Sequence, residues 1–204
     1  MSKRPSQTSR FYSRIGSNGW SGSGYFTYSV QFSAFRRWIA AQLPTEKKTI
    51  LSIGCGTGIL ENHLKKSRHE VVGLDASARM LARARERGLK SVVQGDSHSL
   101  PFAVDSFDIV MFVESVGYLD MPTAFSEARR VLRRHGRMLI TTYTDNVEVH
   151  AAYRKFRLSE IMSSLTAAGF GLFRHYFIDA KLTAMTKAPA YGASSLLCVW
   201  STKQ

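Results

Sequence analysis

The stretch TILSIGCGTG, residues 49–58, decides how the rest of the chain is read. TILSI is a short, mostly apolar run without charge, as expected of a strand buried on both faces. Glycines at 54, 56 and 58 interrupt it, and residues 57–66 read as a helix. A strand that turns through three glycines into a helix brings bare backbone close to anything lying beyond the strand end, because no Cβ stands in the way. The same rhythm recurs downstream. EVVGLD, residues 70–75, is a second buried strand; a helix begins at Ser77, runs to about Arg87 and stops at Gly88. SVVQGD (91–96) and FDIVMFVES (107–115) are the third and fourth strands, residues 121–134 a helix, and GRMLITTY (136–143) the fifth strand. A helix over 156–168 precedes two last strands, 170–181 and 194–201, which have no helix between them. Upstream, VQFSAFRRWIAAQL (30–43) has apolar residues at helical spacing as far as Pro44. Strands alternating with single helices predict an α/β fold with a mainly parallel sheet covered on both faces, and the helixless join makes one of the last two strands antiparallel.

The 204 residues suit one structural domain, 44% hydrophobic and 21% charged. We divide it into a basic N-terminal arm and helical lid over 1–44 and a ligand-binding domain over 45–204. Cys55 and Cys198 stand apart from each other and from any close His, which excludes a disulfide scaffold and a zinc finger and suits a reducing, cytoplasmic setting. No metal site is expected. No apolar run reaches the roughly 18 residues of a membrane span. Charge is the unusual feature: 28 Lys and Arg against 15 Asp and Glu give +13, and no acid precedes Glu46. A basic, Ser- and Gly-rich beginning fits a mitochondrial transit peptide as well as an arm on a cytoplasmic protein. A basic surface also attracts nucleic acid, anionic lipid or acidic metabolites.

Open parallel sheets bind ligands beyond the carboxyl ends of their strands. Four consecutive ends here carry turn or polar residues: Gly54-Cys55-Gly56-Thr57-Gly58, then Asp75, then Gly95-Asp96-Ser97, then Val113-Glu114-Ser115. A carboxylate such as Asp75 can accept both hydroxyls of a ribose, although an acid ending a strand is also a common helix cap. The dinucleotide fingerprint G-x-G-x-x-G is not met, because Ile59 stands where the third glycine belongs. No G-x-x-x-x-G-K-[ST] loop occurs either.

On ILSIGCGTG (50–58), VVGLDASARML (71–81), GDSHSLPFAVDSFDIV (95–110), ARRVLRRHGRMLI (128–140) and LTAAGF (165–170), the chain resembles the class I S-adenosylmethionine-dependent methyltransferases, in particular the small-molecule group of ubiquinone and menaquinone biosynthesis. The resemblance implies a Rossmann-like seven-stranded sheet of order 3-2-1-4-5-7-6 with strand 7 antiparallel. It implies S-adenosyl-L-methionine as cofactor and S-adenosyl-L-homocysteine as product. Gly54, Gly56 and Gly58, with Cys55 between them, would border the methionine and ribose moieties. Asp75 would bind the ribose hydroxyls, Ala76 and Met80 line the adenine side, Asp96 and Ser97 after Gly95 meet the adenine, and Val113 lie near the reactive methyl.

Methyl transfer from a sulfonium asks the protein mainly to align two partners; a base is needed only where the acceptor must lose a proton. Candidates near the expected mouth are Glu114, Tyr118 and His150, with Tyr143 and His98 beside them. Where related sequences often read E-V-L-H-H after strand four, this one reads Glu114-Ser115-Val116-Gly117-Tyr118, so both histidines are missing. No [DN]-P-P-[YF] follows strand four and no cysteine lies beyond strand four or five in a position to attack C6 of a pyrimidine, which disfavours exocyclic base amines and 5-methylcytosine chemistry. Phe32, Phe35 and Trp38 resemble the lid that small-molecule members fold over the acceptor. The expectation is O-, C- or N-methylation of a small anionic or aromatic molecule. Its competitors are an RNA methyltransferase using the basic surface and a non-catalytic cofactor-binding protein.

Overall fold

The computed structural model describes residues 30–65, 68–143, 152–179, 185–186 and 195–204. Helix α1 (Val30–Gln42) leads into β1 (Thr49–Ile53), followed by α2 (Ile59–Lys65), β2 (Glu70–Asp75), α3 (Ala78–Glu86), β3 (Val92–Gln94) and β4 (Phe107–Val113). One 3₁₀ turn (Val116–Tyr118), α4 (Met121–Val131), β5 (Leu132–Tyr143), α5 (Leu158–Ala167), β6 (Phe170–Asp179), β7 (Met185–Thr186) and β8 (Ser195–Lys203) complete the chain.

The strands form one sheet in the order β3-β2-β1-β4-β5-β8-β6-β7. Strands β1 to β5 pair in parallel, whereas β8 runs antiparallel between β5 and β6. With the two-residue β7 set aside, this is the expected 3-2-1-4-5-7-6 arrangement. Strand β7 is an addition at the edge, paired with Phe177 and Ile178, and too short to carry a periodic signal.

Alternation along the central strands splits the core between two faces. Leu51, Ile53, Val110 and Phe112 pack with Phe125 and Ala128 of α4 and Ile161 and Leu165 of α5. On the other face Ile50, Ile109, Met111 and Leu139 meet Phe35 and Ile39 of α1 and Leu60 and Leu64 of α2. Helix α1 therefore contributes side chains to the core.

The largest boundary difference from the sequence expectation lies at the end of α4. Residues 132–134, expected as the end of a helix, are extended, and Leu132 (φ −72°, ψ 137°) already pairs with Phe107. Two backbone amides of the loop before β4 intercept the last helical carbonyls: Asp105 donates to Arg130 O (3.2 Å) and Ser106 to Val131 O (2.8 Å). Carbonyls satisfied from outside no longer need the next helical turn.

Candidate functional site

The glycine turn after β1 is shaped by three positive φ angles: +75° at Gly54, +54° at Gly56 and +70° at Gly58. The amides of Gly54 and Cys55 both donate to Leu74 O at the end of β2 (2.8 and 3.1 Å), pinning the turn to the neighbouring strand. The glycines differ in what surrounds them. A Cβ on Gly58 would lie 2.9 Å from the Ala84 Cβ, and one on Gly54 2.5 Å from the Ser115 Cβ, whereas a Cβ on Gly56 would meet nothing within 4 Å. Gly56 thus presents bare backbone to open space. Cys55 points away from that opening: its Sγ would be 2.7 Å from a Cβ on Gly73 of β2. Burial first, then the nearby acids Glu61 and Asp75, pushes its thiol up, so it holds its proton and is no nucleophile.

Asp75 ends β2 and reaches both sides of this opening. Its Oδ2 accepts from Gly56 N (2.9 Å) and its Oδ1 from Ser77 N (2.8 Å). Burial raises its pKa and the two amides pull it back. Each oxygen retains a lone pair, so the carboxylate is preorganised to accept a pair of hydroxyls. Ser77 caps α3 by accepting from Met80 N (3.3 Å), and Met80 is buried while Ala76 is exposed. After β3, Gly95 N donates to Asp75 O (3.2 Å), which brings the third strand end beside the second. Ser97 is buried there, and Asp96 is exposed with its Oδ1 on His98 (2.9 Å to N, 2.7 Å to Nδ1). Because Asp120 N donates to His98 Nε2 (3.0 Å), the Nδ1 carries the ring proton. Both ring nitrogens of His98 are thus engaged in tying this loop to the start of α4, a structural duty.

The fourth strand end carries the unusual chemistry. Glu114 has φ +54°, a left-handed conformation that costs a non-glycine residue about 1–2 kcal/mol. It is held by its amide, which donates to Thr141 O (3.0 Å) and Oγ1 (3.2 Å), and by Ser115, whose hydroxyl donates to Ile53 O (2.7 Å). The Glu114 carboxyl accepts from the Tyr143 hydroxyl through Oε2, while its shielded Oε1 has no hydrogen-bond partner among the described residues. Burial lifts it to about 7, opposed by the Tyr143 bond. Tyr153 packs edge-on against both Tyr118 (centroids 4.8 Å) and Tyr143 (5.4 Å), and its hydroxyl shares a hydrogen bond with Thr142 Oγ1 (2.8 Å). Val113, Tyr118, Trp38 and Phe35 join the same cluster.

Of the sequence candidates, the structure gathers Glu114, Tyr118 and Tyr143 and sets His98 apart; His150 lies outside the described residues, as do residues 1–29 of the arm and lid expected over 1–44. Two residues escaped sequence reading. Tyr153 follows the fifth strand by ten residues and announces nothing by spacing. Glu61, in the first turn of α2, is buried and accepts from the Ser52 hydroxyl (2.7 Å), leaving Oε2 unpartnered among the described residues; burial lifts it to about 7. The only available signal was an acid at an inward position beside Leu60 and Leu64.

Residues 51–140 match the family described as "Methyltransferase domain". The chain is similar to the demethylmenaquinone methyltransferase of Thermotoga maritima, 36% identical over 110 residues, covering 52% of this chain and 48% of that protein. It is similar, too, to the 18S rRNA (guanine-N(7))-methyltransferase of Bos taurus, 33% identical over 135 residues, covering 59% and 45%. The chain thus spans under half the length of each of these two relatives. Among solved structures, a SAM-dependent methyltransferase of Thermotoga maritima described as a possible histamine N-methyltransferase superposes with a TM-score of 0.78 at 21% identity, covering 96% of this chain and 99% of that one.

Proposed function

Since residues 51–140 belong to the class I S-adenosylmethionine-dependent methyltransferases, we propose that this chain transfers a methyl group to a small-molecule acceptor, on O, C or N, with positioning as its main device. One observation carries the reading: Asp75 bridges the Gly56 amide and the start of α3 at an opening where Gly56 shows bare backbone. That is a cradle for a ribose, and the residues fit the cofactor. Gly56 allows close approach while Gly54 and Gly58 fit the turn against Ser115 and Ala84, Asp75 receives the hydroxyls, and Ala76, Met80, Gly95, Asp96 and Ser97 surround the base. Val113 faces the acceptor side. When bound, the cofactor supplies an electrophilic methyl on a sulfonium with a neutral thioether as leaving group. The chain's part is to hold the acceptor in line, which contributes on the order of 7–11 kcal/mol in favourable cases. Where a proton must leave, Glu114 takes it, with Tyr143 fixing the carboxyl and Tyr118 orienting the acceptor. Buried, unpaired thiols at Cys55 and Cys198 accord with a cytoplasmic setting. Among the described residues no helix is long and apolar enough to cross a membrane.

Calorimetry with S-adenosylhomocysteine tests this. Asp75→Ala should weaken binding by about tenfold or more, roughly 1.4 kcal/mol. An unchanged dissociation constant overturns the assignment.

A further inference from the structure

We propose that the acceptor is a protonated amine, received between the Glu114 carboxyl and the rings of Tyr118 and its two tyrosine neighbours; this rests on the methyl-transfer reading above. The first ground is an unanswered charge. Glu114 Oε1 is shielded from solvent, and no Lys, Arg or His pairs with it among the described residues. Among the described residues this carboxyl is shielded without a cation beside it, and a carboxylate is costly to bury unpaired. The second ground is backbone strain. The left-handed φ of Glu114 is enforced by Thr141 and by the bond from Ser115 to β1, and strain retained at a strand end points to a side chain held for use. The third ground is the wall. Tyr153 packs edge-on against Tyr118 (86°) and Tyr143 (75°), so three electron-rich rings cluster beside the carboxyl that Tyr143 bonds, and such rings attract a cation. Gly117 makes room for it: a Cβ there would fall 2.4 Å from the Tyr153 ring.

An anionic acceptor would be repelled by the ionised carboxyl, and a neutral one would offer it a hydrogen bond without an opposite charge. An ammonium answers it and also supplies the reaction. One N–H proton passes to Glu114 Oε1, and the freed nitrogen lone pair forms the new N–C bond. The methyl carbon's bond to sulfur breaks, with its electron pair staying on sulfur as a neutral thioether. Charge balances: ammonium, carboxylate and sulfonium become methylated ammonium, carboxylic acid and thioether. The proton on Glu114 leaves to solvent after product release.

The test uses the full chain saturated with S-adenosylhomocysteine and calorimetric titration of phenethylamine and tryptamine against phenylacetate and indole-3-acetate, matched in ring and length. We expect the amines to bind about tenfold tighter than their acids. Glu114→Gln should erase that preference while leaving S-adenosylhomocysteine affinity unchanged, and Tyr118→Leu should reduce it. Acids that bind as well as the amines, a preference that survives in Glu114→Gln, or no binding by any of the four probes overturns the proposal. If S-adenosylhomocysteine itself does not bind, the methyl-transfer reading falls first and the amine proposal with it.

Discussion

Gly56 and Gly58 share a loop and a left-handed backbone, yet their substitution should have separable consequences. Alanine at either position meets about 1–2 kcal/mol of backbone strain. At 58 the new Cβ also presses on Ala84 within the packed interior, and overpacking typically adds about 1–3 kcal/mol. Gly58→Ala should therefore lower the melting temperature clearly, while Gly56→Ala, with open space before it, should melt closer to the parent and lose S-adenosylhomocysteine affinity. Equal melting shifts with equal binding would contradict this division. Glu61 carries a different prediction. Its folded pKa of about 7 lies above the usual 4.5 because burial disfavours the carboxylate. The folded chain thus binds a proton that the unfolded chain releases between those values, and stability falls as pH rises from about 4.5 through 7. Glu61→Gln keeps an acceptor for the Ser52 hydroxyl and should flatten this slope when urea midpoints are compared at pH 5 and pH 8. An unchanged slope would assign the dependence to Glu114, which burial raises to the same range.

At the scale of elements, the end of α4 shows what a sequence can and cannot declare. ARRVLRR continues a helical spacing past Val131, and the spacing alone predicts helix to Arg134. What stops it comes from elsewhere in the chain: amides of Asp105 and Ser106 on its last carbonyls, and Lys203 of β8 donating to Leu132 O and, at 2.8 Å, to Asp105. Arg130 fastens the same loop, pairing with Glu127 (2.8 Å) and donating to the carbonyls of Phe102 (2.8 Å) and Leu100 (2.9 Å). Arg130→Ala should thus cost about 1–3 kcal/mol in chemical denaturation, more than an exposed ion pair would, since two backbone carbonyls lose their partner. A loss within error of zero would mean the loop is held by other bonds. By contrast β1, β2 and β4 were legible because burial on both faces leaves a continuous apolar run, and the cofactor turn because glycine spacing and Asp75 are local. Strand β7 has two residues, Tyr153 reaches the site by tertiary packing, and Glu61 declares itself only once α2 is seated over Ser52. Long-range contacts of this kind leave no periodicity behind.

Across the whole molecule, the question is what the +13 charge serves. A cleft of about 390 Å³ is lined by Lys48, Arg133, Arg134, His135 and Arg137, together with Glu46 and Asp108. Its residues sit where β1, β4 and β5 begin, whereas the glycine turn, Asp75 and Glu114 sit where the strands end. The length of the parallel sheet separates this basic cleft from the reaction end. An RNA acceptor would require its backbone to be gripped near the mouth, so a cleft at the far end fits a separate, general affinity for polyanions. Arg133→Gln with Arg134→Gln removes two exposed charges, one of them paired with Asp108 at 2.9 Å. In gel-shift titrations of a single-stranded RNA, the slope of log affinity on log salt should then shallow by about 0.7 per lost phosphate contact. Binding of S-adenosylhomocysteine and of phenethylamine should stay within about twofold of the parent, because shielded pairs are little affected by distant charge. If the double variant instead lost affinity for either small molecule, the two ends of the sheet would be coupled, and the basic excess would have to be counted as part of the reaction site.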